Sequence, residues 1–397
     1  MNNCRDITMN IPTTHHNYID TLKGFAICAV IARHTGGALL PAPLGNILGV
    51  GANGVQLFFV ISAMLAYASL ERCYGHNTQT QINSTALDKT LPNTLRWYLK
   101  KYTTLAPLFI LATILSTIIL GGCHTWMGSQ EHVTIGNFIA HIFLIQGFFP
   151  HYANSIIGVE WYIGVLVIFY LIAPLLYRFV NTLERALLFT LVTILGSDIL
   201  IPTISNYIST HITYDTDLVI QMTTGFSIVS QLPVLAMGIV AYFAFYKRDD
   251  HNNRLMSYVL LAISAIIIWG LATGTTSVNL ISRDCLFGLA AVLIIYSQSI
   301  HSARIFNNPL FITMGRYSYA IYLFHYMFAT LYERAYEAYF ISSMGSPILE
   351  WVIEFVLVTA VSIAVALPVT KLINKLSYLC YNYINYVRTN LRHFTQK

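Results

Sequence analysis

Charged residues are scarce in this chain. Only 10% of the 397 residues are Asp, Glu, Lys or Arg, whereas about a quarter of the residues in a soluble protein are charged. Hydrophobic residues make up 56% of the chain. This balance excludes an ordinary soluble domain and predicts an integral membrane protein with many spans.

Cysteine is also sparse, and its arrangement suggests no disulfide framework. The six cysteines form no CxxC pair and no Cys/His cluster at zinc spacing, so no metal site is predicted. Residues 1–16 are polar and lack the apolar stretch of a cleavable signal peptide. We therefore expect the first apolar segment to remain in the protein as a span.

Long apolar segments are what the chain does have, and they predict an all-α bundle of about ten transmembrane helices. Each is near the roughly 20 residues that a helix needs to cross the bilayer. The segments cover residues 24–40, 51–70, 102–120, 157–177, 186–205, 225–246, 255–273, 285–300, 317–331 and 348–370. Segment 135–149 is shorter and contains Asn137, His141 and Gln146, and we interpret it as interfacial or re-entrant.

The basic residues predict the orientation, because cytoplasmic loops of membrane proteins are enriched in Lys and Arg. With ten spans and both termini in the cytoplasm, all but three of the 22 basic residues fall on the cytoplasmic side, the exceptions being Arg33, Arg283 and Arg334. If segment 135–149 were counted as a span, every later loop would change sides, and Arg178 and Arg185 would lie outside the cytoplasm. The net charge of +5 is thus explained by topology and not by nucleic acid binding.

The chain is predicted to be one membrane domain, residues 1–397, with a core of about residues 18–370. No long linker, internal repeat or low-complexity run interrupts it. The longest polar stretch, residues 71–94, is predicted to be a cytoplasmic loop. A short polar N-terminal tail and a basic, aromatic C-terminal tail are expected, with no room for a soluble enzyme domain at either end.

Lys23 and His34 are the most informative pair of polar residues. Eleven residues of helix place them on nearly one face, roughly 16 Å apart along the axis. Ionisable residues are costly in a bilayer, so an intramembrane His below a basic residue indicates a functional site. The alternative is that Lys23 only anchors the helix at the surface and that His34 is a hydrogen-bonded packing residue.

Several stretches occur in the order found in a known family. The stretch DTLKG contains Lys23, and ten residues separate Lys23 from His34. This spacing resembles the family's first-helix motif, in which Arg usually stands in place of Lys23. GANGVQLFFVIS resembles the second helix, where Asp commonly replaces Gln56. YLKKYTTLAP resembles the opening of the third helix, with Thr104 in place of a second Arg. WYIGVLVIFY, QLPVLAMG and GRYSYAIYLFH resemble later signatures. From residue 18 to about residue 325, the chain thus resembles the integral membrane acyltransferase 3 family.

This resemblance implies an O-acyltransferase of the bacterial inner membrane. It would take an acyl group, most simply acetyl, from cytoplasmic acyl-CoA and deliver it to a hydroxyl of an envelope glycan such as O-antigen or exopolysaccharide. A lipid-linked oligosaccharide is a related acceptor, and no tightly bound cofactor is implied. Many relatives carry an additional extracytoplasmic esterase-like domain. Without it, the chain would transfer the group directly or pass it to a separate partner protein.

Acyl transfer needs a base for the hydroxyl proton and a donor for the developing oxyanion. His34 is the candidate base, because imidazole binds and releases protons near neutral pH. Arg33 is the candidate group that polarises the carbonyl. Lys23 could pair with Asp20 or with a donor phosphate, and Asp20 could equally be an acid at a helix N-terminus.

Further candidates lie on the other helices of the bundle. Lys100, Lys101 and Arg96 are predicted to attract the phosphates of acyl-CoA, or else to be ordinary positive-inside anchors. His325 and Tyr322 could line the same cavity as His34, or His325 could bond to a neighbouring helix. Glu160 and Trp161 could contact the acceptor sugar, or Trp161 could belong to an interfacial belt.

Two other functions remain open from the sequence. A transporter also needs polar groups near the middle of the membrane, although no inverted repeat or matched pair of broken helices is visible. A non-catalytic protein of glycan export is the other alternative.

Overall fold

The computed structural model describes residues 17–74, 93–121, 133–246, 253–275, 281–302, 306, 308–339 and 345–395. The regular structure in these ranges is helical. The α-helices are α1 Asn17–His34, α2 Leu44–Gly49, α3 Gly54–Tyr74, α4 Asn93–Leu120, α5 Ile135–Ile142, α6 Trp161–Phe179, α7 Leu183–His211, α8 Thr216–Ile220, α9 Ile228–Ala241, α10 Arg254–Thr273, α11 Arg283–Ile300, α12 Pro309–Arg316, α13 Ser318–Tyr339 and α14 Pro347–Thr395.

Eight helical stretches among the described residues are long and apolar enough to cross a membrane. This confirms an all-α, multi-pass membrane protein. The stretches are Leu44–Tyr74, Asn93–Leu120, Trp161–Phe179, Leu183–His211, Thr216–Tyr246, Arg254–Thr273, Arg283–Ile300 and Pro347–Ser377.

The other two predicted spans, α1 and α13, are more polar. The eighteen residues of α1 include three charged side chains, and α13 contains six tyrosines. Both helices bury their apolar residues against the rest of the bundle: Ile27 and Ile31 of α1 and Leu323 and Phe324 of α13 are all 0% exposed. A helix surrounded by protein need not be as apolar as one that faces lipid, so crossing by α1 and α13 stays a prediction.

Three helices at the centre run in the same direction. Asp20 and His34 of α1 contact Arg316 and His325, which follow each other in the same order along α12 and α13. In α4, the carbonyl groups of Leu105 and Leu120 accept hydrogen bonds from residues 319 and 334 of α13. The two bonds have the same residue offset, so α4 and α13 lie parallel and in register.

Close backbone contacts hold α1 in this arrangement. A Cβ added to Gly315 would stand 1.6 Å from the carbonyl oxygen of Asp20, and one added to Gly24 would stand 2.0 Å from that of Phe311. Gly51 and Gly54 likewise lie against the backbone of α1. Glycine thus lets the helices approach to distances that any side chain would prevent.

Helix boundaries differ from the predicted segments where polar or glycine residues intervene. α1 ends at His34 and not near residue 40, because Gly36 adopts a left-handed conformation that stops the helix. α4 begins at Asn93, about two turns before its apolar segment. Beyond residue 370, α14 continues as helix to Thr395, while most of the predicted 71–94 loop lies outside the described residues.

The short segment 135–149 does not cross the bundle, as predicted. α5 has eight residues, which is too short for a span, and it is followed by a 3-10 turn at Gln146–Phe148. Ile135 and Phe143 point outward, whereas His141 and Gln146 are completely buried. The segment therefore packs its polar side chains against the bundle, next to the start of α6.

Candidate active site

His34 and His325 meet at the end of α1. Nδ1 of His34 lies 2.9 Å from Nε2 of His325, and the two rings are nearly parallel, with an interplanar angle of 14°. His325 is completely buried, while His34 is partly accessible. The structure therefore brings together two residues that are 291 positions apart. From the sequence, His325 could either line the same cavity as His34 or bond to a neighbouring helix.

Hydrogen-bond rules order the protons of this pair. Nδ1 of His325 lies 2.7 Å from the carbonyl oxygen of Tyr322. A carbonyl can only accept, so this nitrogen carries the proton and Nε2 of the neutral ring is an acceptor. Nδ1 of His34 must then donate to it. Nε2 of His34 is left without a proton, which is the state that a general base requires.

The loop before α6 supports the pair from one side. The Tyr322 hydroxyl donates to the carbonyl of Val159, and the ring of Tyr326 stands edge-on to His34, with 5.5 Å between centroids. Gly158 has a φ of 91°, and a Cβ there would lie 2.4 Å from the Tyr326 ring. The loop backbone can approach Tyr326 only because residue 158 is a glycine.

Glu160 organises this loop from within. Its Oε1 accepts hydrogen bonds from the backbone N–H groups of Ile156 and Ile157, at 2.7 and 3.1 Å. Nε2 of His141 lies 3.2 Å from the same oxygen, and Nδ1 of His141 donates to the carbonyl of Asn137. Since Nδ1 is already protonated, the contact with Glu160 requires a proton between the two side chains. Glu160 and His141 are both 0% exposed.

Arg33 is the cation nearest to His34 in sequence. Its side chain is partly buried, and it has no hydrogen bond or ion pair with any part of the described chain. A guanidinium group that the described residues leave unpaired, next to a candidate base in the sequence, is available to a negatively charged or polarised ligand oxygen.

Asp20 and Lys23 lie about four and three turns from His34, near the start of α1. Asp20 pairs with Lys23 at 3.7 Å and with Arg316 at 3.3 Å. Two cations thus share one carboxylate, which leaves one excess positive charge at this position. The pairing of Arg316 with Asp20 depends on the long-range contact between α1 and α12 and has no local sequence signal.

The three basic residues of α4 that were predicted to attract acyl-CoA have different surroundings in the structure. Lys101 places its ammonium 5.3 Å from the ring centre of Trp97 and 4.6 Å from that of Tyr170, a cation–π arrangement. Lys100 is exposed, and Arg96 is partly buried. Of the three residues predicted to bind acyl-CoA, Lys100 is the one with its side chain most open to solvent.

Trp161 offers little surface to a sugar. It is 9% exposed, because its indole packs on Phe59 and Phe226, at centroid distances of 5.9 and 4.7 Å. Interior packing therefore describes this residue better than the predicted sugar contact or interfacial belt.

A buried polar network in the bundle was missed from the sequence. Nε2 of Gln231 donates to Asp284 at 2.7 Å, and Gln56 and Asn53 complete the network. Gln56 stands where the resembling family commonly has Asp, and Asp284 of α11 supplies a carboxylate close by. An acidic residue at the start of an otherwise apolar helix was the signal that could have identified it.

Comparison with protein families gives one result that covers most of the chain. Residues 16–370 match a family model described as an acyltransferase domain. Comparison with curated proteins and with solved structures finds no match. The matched range includes both histidines, Arg33 and every other candidate residue described above. The chain therefore belongs to the acyltransferase 3 family.

Proposed function

We propose that this chain is a membrane O-acyltransferase that moves an acyl group from acyl-CoA to a hydroxyl of an envelope glycan. The observation that carries the proposal is the proton order from Tyr322 through His325 to His34. It leaves Nε2 of His34 as an unprotonated nitrogen on a side chain that is partly accessible. Family membership supplies the reaction class.

The proposed step requires no other base. The acceptor hydroxyl oxygen attacks the thioester carbon, and Nε2 of His34 takes the hydroxyl proton. Arg33 stabilises the negative charge on the former carbonyl oxygen. The carbon–sulfur bond then breaks, the imidazolium returns the proton to the leaving thiolate, and the products are an ester and free coenzyme A. His325 favours the intermediate because its Nε2 accepts a hydrogen bond from the Nδ1–H group of charged His34.

The cations at the start of α1 fit the phosphates of the donor. Lys23 and Arg316 share Asp20 and so retain one excess positive charge. Lys23 lies roughly 16 Å along α1 from His34, a separation that an extended pantetheine arm between phosphate and thioester can bridge. Lys100, Lys101 and Arg96 are proposed as a second attractive group, with Lys100 as the most available member.

The finer assignments follow from the family resemblance. We propose acetyl-CoA as the donor, O-antigen or exopolysaccharide as the acceptor, and the bacterial inner membrane as the location. Attack by the hydroxyl at His34 needs no second protein, so direct transfer is part of the proposal.

Mass spectrometry of envelope glycan tests the function. Cells that lack the chain would be complemented with the wild type, His34→Ala or His211→Ala. His211 is a matched control, because it lies at the exposed end of α7. We expect the acyl ester to be lost with His34→Ala alone, at equal protein levels. An unchanged ester in His34→Ala would reject the proposal, and ligand flux in liposomes without acyl-CoA would support a transporter.

A further inference from the structure

Gln146 is a buried amide that makes no hydrogen bond. It is 0% exposed, and neither its oxygen nor its nitrogen has a partner among the described residues. The second carboxylate oxygen of Glu160, Oε2, is buried in the same way and also lacks a partner. Buried polar atoms are normally satisfied, so each exception calls for an explanation.

Gln146 lies against α6 one helical turn after Glu160. A Cβ added to Gly147 would stand 2.6 Å from the Cα of Gly164, and Nε2 of Gln146 lies 4.0 Å from the corresponding position on Gly164. The N–H of Gly164 donates to the carbonyl of Glu160. Residues 160 and 164 are one turn apart and therefore share a helix face, along which Gln146 is placed.

The backbone that directs Gln146 inward is strained. Leu144 has a φ of 57°, a left-handed conformation that is unfavourable for a leucine. Its neighbours Phe143 and Ile145 are exposed, whereas Leu144 and Gln146 are buried. Backbone strain of this kind tends to persist at functional sites.

Other buried polar side chains near the start of α6 form hydrogen bonds within the protein. Asn137 bonds to Ser155 at 2.9 Å, and Asn154 bonds to the carbonyl of Gly158 at 2.8 Å. The fold can therefore satisfy polar side chains in this region. A strained turn and two unsatisfied groups at successive turns of α6 are unfavourable for stability and bring the fold no compensating contact.

We infer that Gln146 and Oε2 of Glu160 form a subsite for the sugar acceptor, which binds two neighbouring hydroxyl groups. A hydroxyl donates to the carboxylate oxygen, and the amide both donates to and accepts from a second hydroxyl. Because the shared proton lies between Oε1 and His141, Oε2 can only accept, and it disfavours a ligand oxygen that also only accepts, such as an ionised phosphate oxygen. Both groups are closed off here, so the acceptor enters as the Gln146–Phe148 turn moves away from α6. This inference rests on the proposed function.

The backbone from Glu160 to Val159 and two hydrogen bonds of Tyr322 connect the proposed subsite to the proposed reaction centre. Glu160 follows Val159, whose carbonyl accepts from the Tyr322 hydroxyl, and the carbonyl of Tyr322 accepts from His325. An acceptor held at α6 is therefore adjacent to the residues that order His34. In this assignment Glu160 and Gln146 orient the sugar, and His34 carries out the proton transfer.

Gln146→Met tests the inference, because it removes two polar atoms that the fold does not use. Gln298→Met is the matched control, since Gln298 is equally buried but hydrogen-bonded, at 3.1 Å from Ser297. Purified full-length protein in nanodiscs would be supplied with radiolabelled acetyl-CoA and with deacylated glycan from cells that lack the chain. Transfer rates would be measured over a range of glycan concentrations, together with thermal unfolding.

For Gln146→Met we expect the half-saturating glycan concentration to rise about tenfold. The KM for acetyl-CoA should stay constant, and the unfolding temperature should be equal or higher. Gln298→Met should unfold at a lower temperature and keep the wild-type glycan dependence. An unchanged glycan dependence in Gln146→Met, or loss of folding in that variant alone, would overturn the subsite. If His34→Ala also transfers normally, the proposed function is wrong and the subsite falls with it.

Discussion

At the level of single residues, the reaction centre depends on which nitrogen carries a proton. The chain from the Tyr322 carbonyl through His325 to His34 places each proton by the rule that a carbonyl only accepts. A backbone carbonyl thus has the orienting role that a carboxylate has in other histidine-based sites. In the proposed mechanism, His325 is therefore a positioning residue, and His34 is the catalytic one.

Substitutions at His325 should separate hydrogen bonding from packing. His325→Gln retains an oxygen that can accept from Nδ1 of His34, whereas His325→Leu retains only bulk. We expect His325→Leu to lower kcat by about 100-fold and His325→Gln to recover a substantial part of that loss. Steady-state rates of purified variants, checked for folding by thermal unfolding, would show this. Equal rates for the two variants would indicate that His325 only fills space.

Arg33 should affect the rate more than donor binding. Its guanidinium has no described protein partner and stands next to His34 in sequence, so its charge is available for the oxyanion. Arg33→Met is expected to reduce kcat by about 100-fold with little change in the KM for acetyl-CoA. Arg33→Lys should keep part of the activity, because the charge remains. If KM rises and kcat is constant, Arg33 binds the donor instead.

At the level of helices, the site depends on how closely α1 approaches α12 and α13. Gly315 lets the backbone of α12 touch α1 at Asp20, and the adjacent Arg316 can then pair with that carboxylate. Gly315→Ala should separate the two helices and destabilise the protein by about 1–3 kcal/mol. It should also weaken the pairing of Asp20 and raise the KM for acetyl-CoA.

Gly196→Ala is the control for this substitution. Gly196 lies within α7, and nothing stands within 4 Å of an added Cβ. Alanine should therefore stabilise the helix by about 0.5–1 kcal/mol without affecting transfer. Thermal unfolding of both variants in the same detergent would measure the difference. Similar stability changes in the two variants would contradict the close contact between α1 and α12.

The helices were largely predictable from hydropathy, but their ends and contacts were not. The lengths of the apolar runs predicted the segments. The shortness and the polar residues of segment 135–149 together indicated that it does not cross, and its helix α5 has only eight residues. The first helix was extended too far, because residues 38–40 are apolar although Gly36 ends the helix. The start of α4 was placed too late, because its polar first turns carry no apolar signal.

The candidate site shows the same division. His34, His325 and Tyr322 were singled out because polar residues in apolar helices are costly. Their direct contact depends on packing between distant helices and has no local sequence signal. Glu160 was expected to face a sugar, whereas most of its hydrogen bonds organise its own loop. The Asp284 network was missed because it joins three helices through single residues.

At the scale of the whole molecule, parallel α1, α4 and α13 agree with the predicted topology. They correspond to the first, third and ninth of ten predicted segments, and odd-numbered spans must all run in one direction. The register of α4 and α13 places Lys100 and Glu337 at opposite ends of this group, about 35 Å apart along the axis. That length is comparable to the thickness of a bilayer.

Cysteine labelling of intact cells tests this orientation directly. In a variant with all six native cysteines replaced by serine, Lys100→Cys and Glu337→Cys would each be exposed to a membrane-impermeant maleimide. Both side chains are exposed in the structure, so accessibility depends on the membrane face alone. We expect labelling of residue 337 in intact cells and of residue 100 only after permeabilisation. The reverse pattern would put the cations of α1 and α4 on the side without acyl-CoA and would exclude the proposed route of the donor.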